Sequence, residues 1–208
     1  MKTVLILFMA TILHTHGMTQ SKVQGEYVFN RQEMVAGFDF SADAKFKFFY
    51  SYGAIDRTAT GTFAVKGDTL TLKSNKKSGN DFTVKSQSKE GRGYTIKIED
   101  ANEYFLANVR CSFFTGKERH DEITDEKGEI KVEFEQVDKI YVQHLLYPDM
   151  VTLVKDERNT NNRFVLTLNP SLAQVSFQGI DFKINDDKTL SCTSNYFMML
   201  DDIKFKKQ

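Results

Sequence analysis

The sequence predicts an all-β chain built from antiparallel sandwich and barrel parts, and three observations carry that reading. From Val23 onward apolar residues recur with a period near two, and turn residues interrupt them about every eight to twelve positions. Residues that favour a pleated, half-buried surface are abundant, with 18 Phe and 8 Tyr in 208 residues. No window longer than about ten residues in this region combines a 3.6-residue period with helix caps.

The strands are expected in order. Residues 23–29 (VQGEYVF) come first, then 34–40 (MVAGFDF), a turn at 41–44, and 45–52 (KFKFFYSY). Segments 60–65 and 69–73 flank Lys66-Gly67-Asp68, and Phe63, Val65, Leu70 and Leu72 straddle that turn as a hairpin requires. Further strands are expected at 82–84, 94–98, 109–114, 130–134, 140–145, 151–154, 164–168, 175–177, 182–184, 189–192 and 196–200. Polar stretches at 74–80 (SNKKSGN), 86–93 (SQSKEGRG), 159–162 (NTNN) and 169–171 (NPS) read as breaks.

The charges exclude one class of partner. With 28 Lys+Arg against 28 Asp+Glu, the chain has no electrostatic reason to bind nucleic acid. Ahead of the strands, Lys2 precedes the apolar run 4–13 (VLILFMATIL). A helix that short, rising about 1.5 Å per residue, cannot cross a hydrocarbon layer about 30 Å thick. A positive residue, a short apolar stretch and a polar exit form the plan of a secretory signal peptide, assigned to residues 1–19 with cleavage after Gly17 or Thr19. The mature chain is therefore expected to be exported, periplasmic or secreted. No Cys follows the run, so no lipid anchor is expected, and no second long apolar stretch suggests a membrane span.

The breaks divide the remainder into an N-terminal β-domain (21–76), a middle block (93–169) and C-terminal strands (171–208). The last is too short to bury a core alone and must pair with another block. Either it completes the N-terminal β-domain, with the middle block inserted, or two sandwiches follow in series. Closure would remove exposed strand edges.

In the middle block, Tyr94-Thr-Ile-Lys-Ile98 leads through Glu99-Asp100-Ala101-Asn102-Glu103 to Leu106–Val109. Thr124-Asp-Glu-Lys-Gly-Glu-Ile130 follows, then Asp138–Val142, Tyr147-Pro148 and 164–168. This order resembles the transthyretin-like β-sandwich of the carboxypeptidase regulatory-like family, although Tyr104-Phe105 departs from the Gly or Pro usual there. The resemblance implies a noncatalytic module on an exported protein and carries over no catalytic residue. Gly25-x-Tyr27, Gly37-x-Phe-x-Phe40, 46–50 and Gly61-x-Phe63 resemble the opening of a lipocalin-like barrel, and Gly179-x-x-Phe182-x-Ile184 in the tail has the same character.

Three groups of residues are candidates for function. Alternation puts Phe46, Phe48, Tyr50 and Tyr52 on one face and Phe49 and Ser51 on the other. The first face either lines a pocket for an apolar ligand or a sugar or packs as core, and Asp56 and Arg57 either pair across the mouth of that pocket or sit in a loop. His120, Asp121, Glu122, Asp125, Glu126 and Glu129 cluster at a hairpin, but Lys117, Arg119 and Lys127 offset their charge and the spacing is not that of a calcium loop. Neither metal nor other cofactor is expected. Cys111 and Cys192, if bonded, would close a loop of about 80 residues, worth roughly 4–5 kcal/mol; otherwise each packs as a small hydrophobe. No Gly-x-Ser-x-Gly, His-Glu-x-x-His, phosphate-loop or dinucleotide motif occurs, so no catalysis is expected. The leading expectation is an exported noncatalytic protein that binds a partner or contributes to an envelope or extracellular assembly. A small-ligand carrier and a hydrolase with an unrecognised site are the alternatives.

Overall fold

The computed structural model describes residues 23–192, 200 and 202–208. The expected signal peptide and most of the strand expected at 196–200 lie outside these residues. The chain begins with β1 (Gly25–Arg31), β2 (Met34–Phe40), β3 (Lys45–Tyr52), β4 (Ile55–Lys66) and β5 (Thr69–Ser74). It continues with β6 (Phe82–Ser88), β7 (Tyr94–Glu99), β8 (Val109–Thr115), β9 (Glu118–Ile123), β10 (Glu129–Val132), β11 (Lys139–His144), β12 (Thr152–Lys155) and β13 (Arg163–Leu168). It ends with β14 (Gln178–Ile184), β15 (Thr189–Cys192) and β16 (Lys204–Lys207). Among the described residues the helical elements are two 3₁₀ turns, Glu103–Phe105 and Pro170–Ala173, and no helix is long and apolar enough to cross a membrane.

Strands β1–β5 and β14–β16 form a closed antiparallel barrel in the order β1-β16-β15-β14-β5-β4-β3-β2. The chain leaves this barrel after β5 and re-enters at β14, with β6–β13 between. The β4–β5 turn shows how the sequence dictates the path: Lys66 pairs with Thr69, leaving Gly67-Asp68 as a two-residue loop. Gly67 takes φ +64, a backbone conformation that glycine adopts without steric cost.

Eight strands enclose a space that side chains fill. Phe38 lies at the centre, its ring 4.8–6.0 Å from those of Phe40, Phe46, Phe48, Phe177, Phe182 and Phe205. The alternate positions point outward, and Glu26, Asp39, Lys47 and Thr60 form a polar row across β1–β4. Gly61 is required by a close approach: a Cβ there would overlap the Lys73 carbonyl and lie 2.6 Å from the Ser74 Cα. Because backbone atoms are in the way, Gly61→Ala is expected to destabilise the fold by about 1–3 kcal/mol in denaturant titration.

The inserted segment folds into two four-stranded sheets, β10-β7-β13-β6 and β12-β11-β8-β9. Period-two patterning sends Ile96, Ile98 and Leu166 of the first inward against Val109, Cys111 and Ile140 of the second, all at zero exposure. Strands β7 and β13 pair in parallel; the other pairs in these sheets are antiparallel. The polar stretch 86–93 does not begin at a strand end: β6 continues to Ser88, with Ser86 and Gln87 paired to Val165 and Phe164. Asn162, expected in an exposed loop, is buried. Its amide donates to the Glu90 and Gly93 carbonyls and accepts from the Glu90 N–H, closing the β6–β7 connection.

Two expected features differ. Residues 175–177 form no strand, because Val175 N–H donates to the Thr58 carbonyl and Phe177 N–H to the Ser74 hydroxyl as the chain crosses the barrel end. Cys111 and Cys192 are not joined. Cys111 packs in the core between the two sheets and Cys192 against the barrel core.

Candidate binding surface

Strand β3 places the aromatic run as alternation requires, and the barrel decides its role. Phe46 and Phe48 are buried in the ring cluster around Phe38 as core side chains, Tyr50 is half-buried, and Tyr52 is exposed at the strand end. Phe49 faces outward and lies over Gly37, where its ring occupies the space a Cβ would need. It borders a groove of about 500 Å³ on the barrel wall with Val28 and Lys47.

Arg57 stands elsewhere than a pocket mouth. It lies within β4 on the inward-facing row that continues to Ala59 and Phe63, at the barrel end that meets the inserted sheets. There it donates to the Pro148 and Gln174 carbonyls and lies 3.8 Å from Asp149. Lys76 joins the same junction, 2.6 Å from Asp149 and 3.0 Å from Asp81. The stretch 74–80, expected as a polar break, thus supplies a buried lysine. Two cations and two carboxylates at positions 57, 76, 81 and 149 meet where the barrel joins the sheets. Burial raises the Asp81 carboxyl above its ordinary value, with Lys76 opposing.

Among the described residues, no further layer covers the outer face of β12-β11-β8-β9. The sheet's inward residues are core, and register sets the outward ones in rows: Ser112 beside Asp121 and Tyr141, Tyr141 beside Leu153, and Phe114 beside Arg119 and Lys139. The Phe114 and Tyr141 rings meet edge to face at 5.6 Å, and the Arg119 guanidinium lies 5.9 Å from the Phe114 centroid. Ser112 is buried beneath them. Met150, Val151 and Leu153 extend the apolar area and are 43–50% exposed. Asp121 holds Arg119 through two bonds of 2.6 and 2.7 Å, and Glu157 holds Lys139 at 2.9 Å, so charges of both signs rim the face. The groove across it measures about 460 Å³. Alternation identified β8, β11 and β12, but not β9, and it does not tell which of two sheet faces is left without a covering layer.

The acidic cluster is distributed along β9 and the turn after it. Asp121 pairs with Arg119 and His120 with Glu122, while Asp125 accepts the Lys127 and Glu129 N–H groups and Glu129 pairs with Lys97 and Lys131. The other histidine among the described residues, His144, ends β11 at 1% exposure against Phe105 and Tyr147. Its Nδ1 accepts the Leu146 N–H. Burial pushes its imidazole down to about 4, with the Phe105 backbone opposing.

Because the folded pKa of His144 lies below its unfolded value of about 6.5, the unfolded chain binds the extra proton between the two. The His144 contribution is complete above about pH 6.5 and is lost as pH falls toward 4, by up to about 3 kcal/mol. Denaturant midpoints measured across this window should fall with pH, and more shallowly in His144→Gln. The carboxyls of Asp121, Asp125, Glu129 and Asp138 are held below their ordinary range, so their contributions are lost at still lower pH. Comparison of the chain with known protein families, curated proteins and solved structures returns no match.

Proposed function

We propose that this chain is an exported, noncatalytic binding protein whose outer β12-β11-β8-β9 face docks a protein partner in an envelope or extracellular assembly. The reading takes the inserted sheets as a transthyretin-like sandwich and the barrel as a lipocalin-like meander closed by the tail. Export rests on the signal-peptide pattern at residues 1–19. One observation carries the docking role: an aromatic pair, Phe114 and Tyr141, at the centre of a sheet face that no other described residues cover, adjoined by exposed Met150, Val151 and Leu153. Aromatics, Met and Arg are the residues that interface centres favour, and a polar rim surrounds such centres. Arg119, Asp121, Lys139 and Glu157 supply that rim. A carrier would need space inside the barrel, where Phe38 and its six neighbours stand.

The test compares proteins co-isolated with the tagged chain from its source cells after mild cross-linking. The double variant Phe114→Ser/Tyr141→Ser changes outward side chains, so it should fold and lose its specific partners at least tenfold. Phe49→Ser, on the barrel wall, should retain them. Equal recovery by both variants would contradict the assignment.

A further inference from the structure

The junction holds an arrangement that the binding role does not use. Lys76 Nζ lies 2.6 Å from Asp149 Oδ2, 3.0 Å from the Asp81 carboxylate and 2.8 Å from the Gln174 carbonyl. The three charged side chains are 1–5% exposed. Asp149 Oδ2 also accepts the Ser176 N–H at 3.0 Å and faces Arg57 at 3.8 Å. Asp81 receives the Ser171 hydroxyl at 3.2 Å. An amine is therefore held against one carboxyl, with a second carboxyl in contact with the same nitrogen and little solvent to compete.

We propose that Lys76 and Asp149 condense after folding into an intramolecular amide that clamps the barrel to the inserted sheets. Asp81 takes a proton from the Lys76 ammonium, and the freed nitrogen lone pair attacks Asp149 Cγ. The Ser176 N–H and the Arg57 guanidinium stabilise negative charge on the carboxyl oxygen in the tetrahedral intermediate. Asp81 returns its proton to the departing oxygen, then takes the second proton from the attacking nitrogen and passes it to the same oxygen; the C–O bond breaks with its electron pair, and water leaves. Overall, ammonium and carboxylate become amide and water, and no oxidant or reductant is needed. Two features favour the reaction here: the reactants are already positioned, and the product removes two opposite charges that are costly to keep out of water. Asp149 is assigned as the acyl partner because it is closer to the amine and carries the two stabilising donors. Asp81, raised by burial, is suited to carry the proton.

Intact mass spectrometry of the full chain, purified folded and then reduced and denatured, decides the matter. The expected mass is 18 Da below that of the unlinked chain with the same N-terminus, from loss of one water, with tryptic peptide 140–155 joined to 74–77. Lys76→Arg should restore the full mass, and Asp81→Asn should slow appearance of the deficit at least tenfold. An unmodified mass in the native chain overturns the proposal even if the variants fail to fold. A deficit mapping to Asp81 or elsewhere overturns it equally.

Discussion

Phe38→Ala is expected to cost about 3–5 kcal/mol of folding stability, the range for removing a fully buried large aromatic side chain. Its ring touches Phe40 on its own strand, Phe46 and Phe48 on β3, Phe182 on β14, Phe205 on β16, and Phe177 in the segment that re-enters the barrel. One truncation therefore weakens packing between the two parts of the barrel that are farthest apart in sequence. The surrounding rings belong to a closed set of paired strands, which limits how far they can collapse into the space. Denaturant titration by far-ultraviolet circular dichroism is the appropriate check, because the chain contains no Trp. A loss below about 1 kcal/mol would mean that the barrel interior is less filled than described.

Asp149→Ala is expected to cost a further about 3–5 kcal/mol by a different route. Whether Lys76 and Asp149 meet as ions or as an amide, the substitution removes the group that Lys76, Arg57 and the Ser176 N–H share. As an ion pair, its loss leaves two buried cations facing the single carboxylate of Asp81. This cluster is the polar connection between barrel and sheets, so calorimetry should also show the barrel and the sheets unfolding in separate steps. A single unshifted transition would show that the junction contributes little.

The strands that face a core were legible because one side of each is buried. Phe46 and Phe48 alternate with Lys45 and Lys47, and the structure keeps that order of inside and outside. Strand β9 (ERHDEI) escaped because it is a sheet edge, charged along its length, with almost no apolar row to read. Strand β16 is absent from the strands expected from the sequence, because Lys204, Lys206 and Lys207 dominate it. The alternation of Ile203 and Phe205 between those lysines was its available signal, and Phe205 reaches the centre of the barrel.

The sites were less legible for a topological reason. Arg57 was singled out for its position after the aromatic run, yet its partners are at 148, 149 and 174. No local pattern brings positions 57, 76, 81 and 149 together; only the chain's exit from the barrel after β5 and its return at β14 does so. Similarly, Phe114, Tyr141 and Leu153 lie on three strands, and their common exposure follows from register and from the absence of another described layer over that sheet.

Site-specific photocross-linking in the source cells distinguishes a docking face on β12-β11-β8-β9 from a bare sheet surface. A benzophenone amino acid would replace Tyr141 in one chain and Phe49 in another, each expressed in the source cells and irradiated there. A discrete covalent adduct with another protein is expected from position 141 and none from position 49. No adduct from position 141, or the same adduct from both positions, would contradict the docking role.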